Sequence, residues 1–128
     1  MNKISIIVPC YNEDAALPIF YKEMCKIMAQ MKEEEFELIF VDDGSTDHTL
    51  AEMKTLHEKD ERCQYFSFSR NFGKEAAIYA GLCKAKGDYV VVMDVDLQDP
   101  PELLPKMYEM VKNGTCDSVA TRRSDRTG

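Results

Sequence analysis

No run of apolar residues approaches the roughly 20 needed to cross a bilayer, so the chain as given is expected to be soluble. No secretory leader is expected either, because Met1 to Val8 holds one lysine and then a strand-like run. Basic residues are scarce: 16 Lys and Arg stand against 23 Asp and Glu, a formal net charge of −7. That balance argues against nucleic acid as a partner, whose phosphates attract basic surfaces. A phosphorylated ligand is still allowed, since a bound cation can mediate between acidic protein and acidic ligand. The five cysteines, Cys10, Cys25, Cys63, Cys83 and Cys116, are odd in number and form no CxxC pair. A zinc knuckle or disulfide framework is thereby disfavoured, a reduced cytoplasmic setting fits, and each cysteine is expected to act as a small buried hydrophobe. No G-x-G-x-x-G follows the first strand, and neither G-x-x-x-x-G-K-[ST] nor G-x-S-x-G occurs. The usual dinucleotide fold, the P-loop and the nucleophile elbow are therefore disfavoured.

What is present suits one globular domain, with 45% hydrophobic and 30% charged residues over 128 positions. Ile4 to Val8 is a β-branched run, read as a buried strand ended by Pro9. Leu17, Phe20, Met24, Ile27, Met28 and Met31 recur at helical spacing and predict a helix over 15–31. Phe36 to Val41 predicts a second strand, and Leu50, Met53 and Leu56 a second helix capped by Ser45, Thr46 or Asp47. Tyr65 to Phe68 predicts a third strand and 74–85 a third helix, with Gly87 placed to end it. Tyr89 to Met93 is the fourth and most apolar strand. Pro100-Pro101 opens a fourth helix with Leu103, Leu104, Met107 and Val111 inward, and Asn113-Gly114 stops it. A fifth strand is expected from Asp117 to Thr121. Strict alternation of strand and helix predicts an α/β fold: an open, mostly parallel sheet with helices on both faces. Residues 122–128 read as a polar tail after a domain of 1–121, at which the fold is interrupted.

Open α/β sheets bind ligands beyond the carboxyl ends of their strands. Acids collect at those ends, in Pro9-Cys10-Tyr11-Asn12-Glu13-Asp14, Asp42-Asp43-Gly44-Ser45-Thr46-Asp47 and Asp94-Val95-Asp96-Leu97-Gln98-Asp99. Strand alternation gives Asp94 and Asp96 a common direction, and two such carboxylates repel unless a cation sits between them. Hard oxygen ligands select Mg²⁺ or Mn²⁺, and Gln98 continues the spacing with a neutral oxygen. An isolated Asp-x-Asp is commonly a solvated loop, here with a helix cap at Asp99; its place after an apolar strand, facing two acidic loops, favours a metal site. Two readings stand for Asp42: a turn former, or a carboxylate reaching into the cleft toward a base or ribose. Two also stand for Arg70 and Lys74: cations for a diphosphate, or a solvated helix start. His48 and His57 are expected on the surface.

Val8-Pro9-Cys10-Tyr11-Asn12-Glu13, Val41-Asp42-Asp43-Gly44-Ser45-Thr46-Asp47, Ser69-Arg70-Asn71-Phe72-Gly73-Lys74-Glu75-Ala76-Ala77 and Asp94-Val95-Asp96-Leu97-Gln98-Asp99-Pro100-Pro101 occur in that order. Together they resemble family 2 glycosyltransferases of the GT-A fold, in the branch of polyprenyl-phosphate sugar transferases. The resemblance covers nearly the whole chain. It implies a nucleotide-diphosphate sugar donor, a divalent metal and inversion at the anomeric carbon. By that resemblance Pro9, Tyr11 and Glu13 border the nucleotide, Asp42 contacts the base, and Val95 belongs to the Asp-x-Asp segment. Asp96 and Gln98 match metal ligands, Asp94 lies near the ribose or metal waters, and Arg122 approaches the diphosphate. Asp14 departs from the family's usual second Glu.

The resemblance further implies a longer parent at the cytoplasmic face of a membrane, with a lipid-phosphate acceptor and acceptor-site residues beyond Gly128. A truncated sheet edge would invite homo-oligomers. Two other readings are a non-catalytic metal- and nucleotide-binding module, and a phospho-accepting receiver domain suggested by Asp42-Asp43. The receiver reading is weakened because that pair follows the second strand rather than the first.

Overall fold

A computed structural model of the chain describes residues 2–96 and 102–112. Its elements run β1 (Lys3–Cys10), α1 (Ala16–Gln30), β2 (Glu35–Asp42), α2 (Thr49–Lys59), β3 (Cys63–Ser67), α3 (Lys74–Lys84), β4 (Tyr89–Val92) and α4 (Leu103–Lys112). The expected fifth strand, the stop at Asn113-Gly114, Pro100-Pro101 and Cys116 lie outside the described residues.

The described strands form one parallel sheet in the order β3-β2-β1-β4. Strands covered on both faces need near-continuous apolar runs. β1 meets that need, with Ile4, Ile6, Ile7 and Val8 fully buried. One face carries Ile4, Ile6 and Val8 of β1 with Leu38 and Phe40 of β2, packed with Phe20, Met53 and Leu104 from three different helices. The other face carries Ile39 and Val41 against Ala77 of α3. Gly81 lets α3 lie close on the sheet, because a Cβ there would come 2.5 Å from Ile7 Cγ2. The buried stripe of α1 is Leu17, Phe20, Met24, Ile27 and Met28, as its spacing predicted.

Several expectations are corrected. Pro9 does not end β1, which runs on to Cys10 beside Asp42. The carbonyl of Ile7 accepts from Met93 N–H, so Ile7 faces β4, and Pro9, two residues on, faces the same way. Pro9 has no N–H to extend that ladder, whose register stops at Ile7 and Val92, while the β2 side continues. Gly87 does not cap α3, which ends at Lys84; its N–H donates to Ser5 Oγ, and a Cβ would come 2.6 Å from that oxygen. Tyr108 joins Leu104 as a buried residue of α4, while Leu103 stays half-buried. Cys10 and Cys63 are buried as expected, but Cys25 is half-buried and Cys83 exposed, on the outer side of α3.

Asp60 ties helix to strand at the foot of the sheet. Its carboxylate accepts from Tyr21 Oη at 2.7 Å and from Arg62 Nη2 at 2.7 Å. The Arg62 guanidinium holds the Asp60 carboxyl well below the usual carboxylate range. A depressed carboxyl stabilises the fold above its unfolded pKa of about 3.9, and that contribution fades as pH falls. Asp60→Asn is expected to cost about 1–2 kcal/mol in urea unfolding at pH 7. The gap between variant and parent should narrow below about pH 4.

Candidate functional site

The sheet order changes direction at β1, which has β2 on one side and β4 on the other. A crevice at such a switch point, beyond the carboxyl ends, is where open α/β sheets take ligands. The loops after β1 and β4 flank it, and those after β2 and β3 lie alongside.

The β1 and β2 loops are laced together. Asn12 adopts φ 53°, a left-handed conformation that asparagine tolerates. Its N–H donates to Ser45 Oγ at 2.8 Å, and its Oδ1 accepts from Thr46 N–H at 2.8 Å. Glu13 N–H donates to Thr49 Oγ1 at 2.8 Å, and Asp14 accepts from His48 N–H at 3.2 Å. Asp47 accepts from Thr49 N–H at 2.9 Å just ahead of α2, but the N-cap residue is His48, which makes no side-chain cap hydrogen bond, so none of the three expected caps takes that position. Although burial opposes its charge, these Thr49 hydrogen bonds draw the Asp47 carboxyl down.

The adjacent Asp42 and Asp43 divide their work. Asp42 is buried at the tip of β2, with Oδ1 accepting from Ser45 N–H at 3.0 Å and Oδ2 from Ser67 Oγ at 2.9 Å. Asp43, also buried, reaches into the β3–α3 loop. Its Oδ1 accepts from Phe72 N–H at 2.8 Å, and its Oδ2 from Gly73 N–H at 3.1 Å and Asn71 Nδ2 at 3.2 Å. Gly73 is the N-cap residue of α3, which has no side-chain cap of its own. Asp43 therefore satisfies an orphan donor of that helix from a neighbouring loop. Gly44 permits the approach, with φ 73° and only 2.2 Å between a hypothetical Cβ and Arg70 C. In the residue order, the one signal for this role of Asp43 is an acid pair upstream of a helix that begins after glycine.

Lys74 opens α3 and donates from Nζ to Asp94 Oδ1 at 2.7 Å. Arg70 instead lies over the Phe72 ring, 4.8 Å from its centroid. At the tip of β4, Met93 and Val95 enter the core while Asp94 and Asp96 stay on the rim. Glu13 meets them there. Its carboxyl is raised by burial first, then by the negative charges of Asp96, Asp47 and Asp94. The acids after β1, β2 and β4 thus share one electrostatic neighbourhood. Pro9 is half-buried and Tyr11 is 47% exposed beside it. Gln98 and Arg122 lie outside the described residues. Among the described residues no three His, Cys, Asp or Glu side chains converge closely enough to hold a metal ion by themselves.

The family model for Glycosyl transferase family 2 matches residues 5–128. The chain is 45% identical over 125 residues to the prophage bactoprenol glucosyl transferase homolog of Escherichia coli K12, covering 98% of this chain and 40% of that protein. Staphylococcus aureus TarS 1–349 in complex with UDP-GlcNAc shares the fold with a TM-score of 0.59 at 26% identity, over 88% of this chain and 32% of that one. The mannosyltransferase PcManGT from Pyrobaculum calidifontis, in complex with GDP-Man and Mn²⁺, gives 0.58 at 25% identity, over 77% and 33%. The chain thus spans about two fifths of the length of the curated relative it matches.

Two outcomes follow from this geometry. Asp43→Ala removes a buried acceptor of three backbone and amide donors, and should cost about 2–3 kcal/mol in urea unfolding. Glu13→Gln relieves like-charge crowding and should raise the urea midpoint at pH 7. Because the Glu13 carboxyl is raised, that advantage should shrink as the pH falls and the native side chain gains its proton.

Proposed function

The chain belongs to Glycosyl transferase family 2, and from that membership we propose that it carries the nucleotide-sugar site of an inverting, metal-assisted enzyme that glycosylates a polyprenyl phosphate. The observation that carries this reading is the gathering of Glu13, Asp47, Asp94 and Asp96 on one rim, with Lys74 among them. Burial and the negative charges of Asp96, Asp47 and Asp94 raise the Glu13 carboxyl, and carboxylates held that near one another favour a cation among them. The donor chemistry fits a hard divalent ion, since the groups crowding this rim are carboxylates. Asp96 and Gln98 would hold it. Once bound, Mg²⁺ or Mn²⁺ supplies Lewis-acid stabilisation of the charge that grows on the departing nucleotide diphosphate.

The chain's own residues do the rest. Lys74 and Arg70 offer cations to the diphosphate, and Arg122 joins them. Asp42, with a lone pair left on each oxygen, accepts from the base. Pro9, Tyr11 and Glu13 border the nucleotide, Asp94 approaches the ribose or metal-bound waters, and Val95, whose side chain is in the core, contributes backbone. The lipid phosphate attacks the anomeric carbon from the face opposite the leaving group, which inverts its configuration. The relative named for bactoprenol supports a lipid acceptor, and those solved with UDP-GlcNAc and GDP-Man support a nucleotide-sugar donor. The whole protein would work at the cytoplasmic face of a membrane. Among the described residues no helix is long and apolar enough to cross one.

Asp96→Ala in the full-length protein is expected to lower sugar transfer about 10²–10³-fold, by the scale of one lost electrostatic contact in a preorganised site. Transfer at the parent rate with unchanged metal dependence would refute the assignment. Calorimetry with UDP and GDP, with and without Mn²⁺, alongside a transfer assay, separates an enzyme from a module that binds without turnover.

A further inference from the structure

Lys74 stands out because its ammonium sits on Asp94, the first acid of the Asp-x-Asp segment whose second acid, Asp96, is proposed to hold the ion. The ammonium lies 2.7 Å from Asp94 Oδ1, on a side chain 48% exposed, while the Asp94 side chain is 13% exposed. The lysine is delivered there by backbone. The Asp43 carboxylate fixes Phe72 and Gly73, and Lys74 is the next residue and the first of α3. The carboxylate is thus the buried partner and the ammonium the solvated one. Water can take over the solvated ammonium, whereas the more buried carboxylate keeps its need for a cation, so one cation can replace another there. A divalent ion near Asp94 attracts the carboxylate about twice as strongly as one ammonium does at equal distance, and repels that ammonium.

On the reading of the site given above, we propose that Lys74 is a resident counter-cation for Asp94 that yields to the divalent ion and then turns to the donor's diphosphate. The lysine would keep the acidic rim neutralised between turnovers and couple metal arrival to phosphate capture. It is a positioning residue in the first state and a ligand-binding one in the second.

The exchange predicts effects of opposite sign from one substitution. In the full-length protein, K74M should bind Mn²⁺ alone about tenfold more tightly, because a competing cation is gone, an effect of about 1.4 kcal/mol. With Mn²⁺ saturating, the same variant should bind UDP about tenfold more weakly. K74R keeps the charge and should leave Mn²⁺ affinity near the parent value. Circular dichroism melting checks that the variants are folded. A lysine with only a structural role would weaken both ligands in K74M, and one that only binds phosphate would leave Mn²⁺ affinity unchanged. Equal or weaker Mn²⁺ binding in K74M, including no binding in either protein, overturns the proposal, as does undiminished UDP binding. If the parent binds neither UDP nor GDP with Mn²⁺, the nucleotide-sugar reading fails, while the Mn²⁺ arm still reports on Lys74.

Discussion

The carboxylate of Asp43 is the contact on which the geometry of the rim depends. It sits at the end of β2 and spends its acceptor capacity on Asn71, Phe72 and Gly73 across the gap to the next loop. Without that grip, α3 would start from a glycine with no cap, and Lys74 would have no fixed place beside Asp94. Gly44 is the steric counterpart of the same contact, because its left-handed backbone and bare Cα let the two loops touch.

The acids of this edge sort by what answers their charge. Asp43 is answered by two backbone N–H groups and the Asn71 amide, Asp47 by the N–H and hydroxyl of Thr49, and Asp42 by one N–H and one hydroxyl. They shape loops and hold the segments from which α2 and α3 start. Asp94 is answered by an ammonium, a partner that another cation can displace. Glu13 has its carboxyl raised by burial first and then by the charges of Asp96, Asp47 and Asp94. A site that exchanges ligands needs both kinds, since the first group holds still what the second must present.

Much of the fold was legible in residue patterns. Apolar β-branched runs gave the strands, and spacings of three and four gave α1 its buried stripe from Leu17 to Met28. Errors came where one residue type serves two purposes. Pro9 reads as a strand end, yet it blocks only the β4 side of β1. Gly87 reads as a helix stop, yet it is there because Ser5 leaves no room for a Cβ. Local pattern carries no information about which neighbour lies across the sheet.

The sequence by itself determined the alternation of strands and helices, the membership in Glycosyl transferase family 2, and the acidic residues at the strand tips. These are properties of residue type and order, which hydrophobic periodicity and motif spacing express directly. Only the tertiary structure decided which acid holds a loop and which meets a lysine. That choice arises between residues 20 to 30 positions apart, Lys74 with Asp94 and Asp43 with Gly73, brought together by the parallel sheet. A carboxylate's role is set by the donors packed around it, and those donors become neighbours only when the chain folds.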